Sequence, residues 1–156
     1  MMLTQETEIL SASPLFRGVD HAQLKLLALM AEARTFHDGE ELMIQGHEGD
    51  AAFVLLEGKA AVIIAIGGRE TTVAQLGQND IVGEMALLTD SPRTATVRAK
   101  GTVRALRVDR SGLLRLLAEF PTMTLELLRV MTTRLERTTQ ELARTRAELD
   151  ELQSQI

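Results

Sequence analysis

The sequence contains no cysteine and carries no excess of positive charge. Without cysteine, disulfides, thiolate metal sites and a nucleophilic thiol are excluded, and the composition agrees with a reducing compartment. Seventeen lysine and arginine residues stand against twenty-two acidic ones, which leaves a net charge of −5. The protein as a whole therefore has no electrostatic attraction for nucleic acid or anionic lipid, and any anion that it binds requires a local site.

Long hydrophobic runs are also missing, although apolar residues make up 45% of the sequence. No uninterrupted apolar run approaches the roughly 20 residues that cross a bilayer. The chain begins with Met1 and Met2 and reaches Glu6 and Glu8 without the basic start and apolar stretch of a secretory signal. We therefore expect a cytoplasmic protein without a membrane span, in which 156 residues form one compact domain and one extended element.

Motifs for catalysis are absent as well. The three histidines, His21, His37 and His47, lie in different local contexts and form no metal-ligand pair at helix or strand spacing. Neither a nucleophile elbow nor a phosphate-binding P-loop is present in the sequence. The sequence therefore favours a protein with no catalytic residues and no metal site.

Residues 4–32 have a helical pattern, in which Leu24, Leu27 and Met30 are expected to share one face and Asp20 is expected to cap a helix. From residue 36 to residue 108 the pattern changes to short apolar runs separated by turn residues. This pattern predicts an all-β barrel or sandwich of six or more strands. The expected strands include 52–56, 60–66, 71–76, 94–99 and 103–108, with a tight hairpin turn at Gly67 and Gly68.

Helical periodicity returns at residue 110, and Pro121 is expected to open the last helix or to end the one before it. Two columns repeat every seven residues along the last helix: Leu128, Leu135, Leu142, Leu149 and Ile156 in one, and Met131, Thr138, Thr145 and Leu152 in the other. This heptad pattern predicts a coiled coil, although residues 125–135 could instead pack on the barrel. We divide the chain into a barrel domain with N-terminal helices at 1–121 and a dimerisation helix at 122–156.

The segment from residue 83 to residue 97 is expected to carry the chemistry. Good helix formers follow Gly83 directly, so free backbone N–H groups of a helical turn can point at an anion. Arg93 follows Pro92 and is expected at the mouth of the same turn, where its guanidinium can bind two phosphate oxygens. The alternative is that Glu84 and Arg93 form an ordinary structural salt bridge.

Gly-Glu-Met-Ala-Leu-Leu at 83–88, followed by Pro-Arg-Thr-Ala-Thr at 92–96, resembles the phosphate-binding cassette of the cyclic nucleotide-binding domain family. That family includes catabolite activator proteins, kinase regulatory subunits and nucleotide-gated channels. Glycine and aspartate turns at Gly46, Gly49-Asp50, Gly58 and residues 76–80 are similar to those of the family's jelly roll. The resemblance spans about residues 9–142 and implies a mainly β fold, a jelly-roll β-barrel with flanking α-helices and a long C-terminal helix.

Carried over to this sequence, the resemblance implies a ligand site with three parts. Arg93 and Thr94 would contact the phosphate, Glu84 would accept from the ribose 2′-OH, and the backbone around Gly83, Met85 and Ala86 would face the anion. Apolar contacts to the base would come from Val62, Val73 and Leu76, and the adjacent hydroxyls of Thr138 and Thr139 would reach the purine, one of them from a partner chain.

The resemblance further implies a sensor that binds a cyclic nucleotide without turnover and signals through its C-terminal helix. The pair Thr138-Thr139 favours cAMP over cGMP, although Thr94 is compatible with either nucleotide. We expect a homodimer through residues 122–156, a downstream protein effector and, because the sequence ends at Ile156, no DNA-binding domain. The alternatives are a dimeric interaction module with an unused nucleotide site, or a regulatory fragment of a larger channel, kinase or transcription regulator.

Overall fold

The computed structural model describes residues 2–13, 16 and 19–155. The helices of this part are α1 Met2–Ser11, α2 His21–Met30, α3 Glu84–Thr89, α4 Arg110–Glu119 and α5 Pro121–Ser154. The strands are β1 Glu32–Phe36, β2 Glu41–Met43, β3 Ala51–Ile66, β4 Arg69–Leu76, β5 Ile81–Val82 and β6 Thr96–Asp109. Ile156, the last member of the predicted heptad column, lies outside the described residues.

The strands form one antiparallel sheet in which the two long strands β3 and β6 lie at the centre. The order along the main path is β1-β6-β3-β4, while β2 also pairs with β6 and β5 with β3. The predicted β architecture with flanking helices and a long last helix is therefore confirmed.

In two places, a pair of strands predicted separately forms one continuous strand. The runs 52–56 and 60–66 both belong to β3, and the runs 94–99 and 103–108 both fall largely in β6, which begins at Thr96. Gly58 explains the difference for β3, since it has a φ of 93° at a shift in the register with β6. A bulge of this kind bends a strand without ending its pairing, so Gly58 does not mark a turn between two strands.

The predicted hairpin between β3 and β4 is confirmed. Ile66 pairs with Arg69 across a two-residue turn, and Gly67 and Gly68 have φ values of 61° and 80°. Positive φ at both central residues is the conformation that glycine adopts without steric cost.

Both faces of β3 are covered in its first half, which explains the continuous apolar run there. Phe53 and Leu55 belong to a core cluster on one face of the sheet. Val54 and Leu56 belong to a second cluster on the other face, together with buried side chains of α2, α4 and α5. The sheet is therefore enclosed by helices on one side and closes over its own apolar face on the other.

In α2, Asp20 is the N-cap residue, as predicted, and its backbone N–H donates to the Gln23 side chain at 3.3 Å. Leu24 and Leu27 are buried, but Met30 is 41% exposed, so the prediction of a shared face is wrong for Met30. Six residues correspond to about 600° of helix rotation, which places Met30 roughly 120° away from Leu24. The helical region also ends at Met30, because β1 begins at Glu32.

Pro121 is the first residue of α5, so it opens the last helix. Met123 and Leu127 in the first turns of α5 are buried, whereas Leu128 and Leu135 are 58% and 66% exposed. The leucine column therefore does not pack on the sheet, whereas Met131 of the second column is partly buried and packs against the core cluster. None of the helices in the described part of the chain combines the length and the apolar character that a bilayer span needs.

Candidate functional site

A cavity of about 340 Å³ lies between the sheet, α3 and α5. Ten of the eleven predicted site residues line it: Val62, Val73 and Leu76 from β3 and β4, Gly83, Glu84, Met85 and Ala86 at the start of α3, Arg93 and Thr94 before β6, and Thr138 from α5. Residues from five parts of the sequence thus face one space.

Thr139 is the exception, because it does not line the cavity of its own chain. It follows Thr138 on α5 and is turned about 100° away around the helix axis. Among the described residues, three further α5 side chains that the prediction did not assign to the site line the cavity, namely Arg134, Arg137 and Glu141. Arg134 and Glu141 lie four residues before and three residues after Thr138, so the helical period from Thr138 was the signal that could have found them.

Arg93 is anchored by the backbone. The residue is only 6% exposed. Its Nη1 donates to the Gly83 carbonyl at 2.9 Å, and its Nη2 donates to the Ala51 carbonyl at 2.5 Å. The backbone N–H of Arg93 also donates to the His47 carbonyl at 2.9 Å. These bonds hold the guanidinium between the start of β3 and the start of α3.

Two glycines leave room for this guanidinium. A Cβ atom on Gly83 would lie 2.7 Å from Arg93 Nη1, and one on Gly49 would lie 2.9 Å from Arg93 Cζ. Gly83 also has a φ of 89°, which residues with a side chain rarely adopt. Both positions therefore require glycine for Arg93 to keep its place.

Glu84 is 1% exposed and is the first residue of α3. Its Oε1 accepts a hydrogen bond from Arg134 Nη1 of α5 at 2.8 Å, and Arg134 Nη2 donates to the Ile81 carbonyl at 2.5 Å. Its Oε2 is buried and has no hydrogen-bond partner within the described part of the chain. The carboxylate therefore connects α3 to α5 through one oxygen, while its other oxygen has no hydrogen bond within the described part of the chain.

The structural salt bridge between Glu84 and Arg93 that the sequence left open is not formed. Both residues are described, and the ion pair of Glu84 is made with Arg134 instead. Burial raises the pKa of Glu84, and the charges of Arg134 and Arg93 oppose this rise. Burial also lowers the pKa of Arg93, opposed by Asp50 and Glu84, although a guanidinium stays protonated in proteins. Arg93 and Glu84 thus give the cavity a cation and an anion that are not paired with each other.

The described residues offer no competing metal centre. Among the described residues, no group of three histidine or acidic side chains is arranged to hold a metal ion. A buried cation, a buried carboxylate and an apolar wall in one cavity instead suit a small organic anion that also carries a hydroxyl group.

Fold and site together define a cyclic nucleotide-binding regulatory domain, and comparison with known proteins agrees. The family model described as "Cyclic nucleotide-binding domain" matches residues 33–120. The chain therefore belongs to the cyclic nucleotide-binding domain family, and the resemblance drawn from residues 83–96 is confirmed.

Among relatives, a CRP-like cAMP-activated global transcriptional regulator of Mycobacterium tuberculosis is 31% identical over 137 residues. This match covers 87% of the chain and 61% of that protein, so the chain spans about three fifths of the curated relative's length.

Two solved structures share the fold. The catabolite activator protein of Thermus thermophilus is 30% identical with a TM-score of 0.77, and the match covers 83% of this chain and 62% of that one. The N-terminal domain of a transcriptional regulator from Streptomyces coelicolor A3(2) is 32% identical with a TM-score of 0.67, over 83% and 94% of the two chains. The predicted jelly-roll barrel is thereby confirmed.

Proposed function

We propose that the cavity binds cAMP in preference to cGMP and that the domain is a sensor without catalytic turnover. The observation that carries this proposal is that Glu84 and Arg93 are both buried in one cavity and are not paired with each other. A cyclic nucleotide has one phosphate charge and one free ribose hydroxyl, so it needs a cation and an acceptor at separate places.

Arg93 is the phosphate ligand of this proposal. Two of its five N–H donors hold the carbonyls of Gly83 and Ala51, which leaves three for phosphate oxygens. The Thr94 hydroxyl and the backbone near Gly83 and Ala86 add further donors around the same anion. Because the guanidinium is held in place before the ligand arrives, little ordering cost is left for binding.

Glu84 is the ribose ligand. Its unpartnered Oε2 accepts from the ribose 2′-OH while Oε1 stays bonded to Arg134. Binding therefore satisfies a buried acceptor that has no partner among the described residues. This is favourable because a buried polar atom without a hydrogen bond costs free energy.

The purine lies, in this proposal, between the apolar side chains of Val62, Val73 and Leu76 and the hydroxyl of Thr138. Thr139 acts only from a second copy, since it does not reach its own cavity. The preference for cAMP rests on relatives: the Mycobacterium tuberculosis protein is named as cAMP-activated, and a kinase regulatory subunit that is 25% identical was solved with cAMP bound.

Signalling runs through α5. Arg134 joins this helix to Glu84, so a nucleotide that orders the Glu84 carboxylate also strengthens the attachment of α5. By thermodynamic linkage, whatever holds α5 in place then raises the affinity for the nucleotide by the same factor. We infer that residues 1–121 form the cyclic nucleotide-binding barrel domain, that residues 122–156 form a dimer, and that a cytoplasmic protein effector responds to the position of α5.

Isothermal titration with cAMP and cGMP tests the proposal, on protein first checked for nucleotide that remains bound from purification. We expect saturation near one nucleotide per chain, with cAMP bound at least about tenfold more tightly. Equal affinities would contradict the purine preference alone. No binding of either nucleotide to nucleotide-free protein would overturn the proposal and favour the dimeric interaction module.

A further inference from the structure

A second cavity of about 300 Å³ adjoins the nucleotide cavity, and Arg134 lines both. It lies between α5 and the segment 77–80, which joins β4 to β5. Its α5 wall is formed by residues at the three- and four-residue spacing of one helix face, namely Glu126, Arg129, Val130, Thr133, Arg134 and Arg137. A volume of this size is at the lower end of the range for small-molecule sites.

Most of the charged groups around this second cavity are already paired. Arg129 forms an ion pair with Glu126. Asp80 accepts a hydrogen bond from the backbone N–H of Gly77 at 2.8 Å, and Arg134 is held by the two hydrogen bonds described above. These groups have their partners within the protein and do not need a ligand.

Three other polar side chains line the second cavity without a hydrogen bond or ion pair within the described part of the chain: Asn79, Thr133 and Arg137. The Oδ1 atom of Asn79 is buried, and a buried acceptor without a hydrogen bond costs free energy unless a ligand supplies the donor. Thr133 and Arg137 are four residues apart, so they project from the same face of α5. One side of the cavity thus has a buried acceptor, and the other has a hydroxyl and a cation.

These three side chains together define the ligand. The Arg137 guanidinium suits an oxyanion, and the Thr133 hydroxyl can donate to another oxygen of the same group. Asn79 Oδ1 can only accept, so the ligand must also carry a donor such as a hydroxyl. Hydrogen phosphate meets this requirement, whereas sulfate at neutral pH has the charge and no hydrogen to donate.

A ligand in this cavity would join α5 to the segment 79–81. Arg134 already makes the same connection, because its Nη2 donates to the Ile81 carbonyl while its Nη1 donates to Glu84 in the nucleotide cavity. Occupation of either cavity therefore favours the same position of α5. Two ligands that stabilise one conformation raise each other's affinity by the same factor.

We propose that the second cavity binds a small oxyanion that carries a hydroxyl group, with Arg137 and Thr133 on the anion and Asn79 Oδ1 on the hydroxyl. Its occupation raises the affinity of the nucleotide cavity. The second site is independent of the proposed function, and only the coupling rests on it.

Titration with inorganic phosphate and, separately, with sulfate tests the site, with backbone amide signals followed by NMR. Because Arg93 also suits an oxyanion, the titrations use Arg93→Ala protein and, in parallel, the original protein saturated with cAMP. We expect phosphate to shift the signals of residues 79–81 and 133–137 in both samples. It should bind at least about fivefold more tightly than sulfate, since only phosphate can donate to Asn79. Equal affinities for the two anions, or no shift at these residues in either sample, would overturn the proposal.

The cation is tested by Arg137→Gln, which should weaken the binding of both anions about tenfold. Arg144→Gln is the matched control, because Arg144 is an exposed arginine of the same helix that lines neither cavity. An equal loss in the two variants would mean that general charge attraction is measured, and would overturn the site.

The acceptor is tested by Asn79→Gly. Asn79 has a φ of 75°, which glycine adopts without strain, so the change removes the side chain and keeps the backbone. Phosphate affinity should fall about fivefold, to the level of sulfate, while sulfate affinity stays the same. A continued preference for phosphate in Asn79→Gly would contradict the role of Asn79.

The coupling is measured as the phosphate affinity at residues 79–81 and 133–137 with and without saturating cAMP. We expect cAMP to raise this affinity about threefold, and Arg134→Gln to remove the increase. Equal affinities with and without cAMP would overturn the coupling and leave the second site. A protein that binds phosphate at these residues and binds no cAMP would keep the second site and overturn the proposed function.

Discussion

The two sides of the cavity are built in different ways. On the barrel side, Glu84, Ala86 and Arg93 are buried, and backbone carbonyls hold the arginine. On the α5 side, Thr138 and Glu141 are exposed residues of a helix whose described packing is confined to its first turns. The charged part of the site is therefore rigid, whereas the α5 part depends on where the helix lies.

This contrast suits a sensor. Burial of Met123 and Leu127 contributes roughly 1.5 to 3 kcal/mol each to the attachment of α5, and the ion pair of Arg134 adds to it. An element held by few contacts responds to a ligand more readily than the core does. The Arg134–Glu84 pair is the direct link between the two sides of the cavity.

The largest effect is expected on the barrel side. Arg93→Ala removes the buried cation, and loss of a charged partner costs about 2 to 5 kcal/mol, so cAMP affinity should fall at least about thirtyfold in calorimetry. Arg93→Lys keeps the charge but loses the planar fork, and should recover only part of the affinity. Arg98→Ala, which removes an arginine paired with Glu70 outside the cavity, is the control. Undiminished binding by Arg93→Ala would refute the phosphate site.

The link itself is tested next. Arg134→Gln removes the charged partner of the Glu84 carboxylate. Because Arg134 is partly exposed, we expect this change to weaken the attachment of α5 by about 1 to 2 kcal/mol. Amide exchange in the middle of α5 should quicken roughly tenfold, and cAMP should protect this region less than in the original protein. Arg129→Gln, which breaks an ion pair with Glu126 on the same helix, should leave the response to cAMP unchanged. Equal cAMP protection in both variants would exclude signalling through Arg134.

The pH dependence of cAMP affinity and of stability tests the role of the Glu84 carboxylate. Because burial raises the pKa of Glu84, acid protonates it at a higher pH than an ordinary glutamate, and cAMP affinity should fall from that pH downward. The folded state then holds the proton more tightly than the unfolded state, so this group increases the free energy of unfolding of the nucleotide-free protein as pH falls through its raised pKa. In Glu84→Gln, both the fall in cAMP affinity and the rise in the free energy of unfolding on acidification should vanish. Identical pH profiles of the two proteins would contradict this assignment.

The smallest effect is expected on the α5 side. Thr138→Val keeps the shape of the side chain and removes one hydrogen bond, which should weaken cAMP binding about three- to tenfold. Thr139→Val should have a comparable effect only at protein concentrations where the dimer is populated. A Thr139 effect of the same size in the monomer would show that the two hydroxyls act in one chain.

Features that depend on residues close together in the chain were predictable from the sequence alone. The Gly67-Gly68 hairpin, the Asp20 cap, the helical turn after Gly83 and the heptad of α5 depend on neighbouring residues, so their patterns are readable without a structure. The family cassette is equally local, which is why its six predicted site residues, at 83–86 and 93–94, lie around one cavity.

Only the tertiary structure decided which charges meet. Glu84 pairs with Arg134, fifty residues away, and not with Arg93, because the docking of α5 and the carbonyls of Gly83 and Ala51 take precedence over closeness in the sequence. Likewise, Gly58 bends a single strand where the sequence indicated a break, and the helix rotation admits Thr138 to the cavity and leaves Thr139 outside. Contacts between distant segments depend on packing, and packing is not encoded in any short stretch of residues.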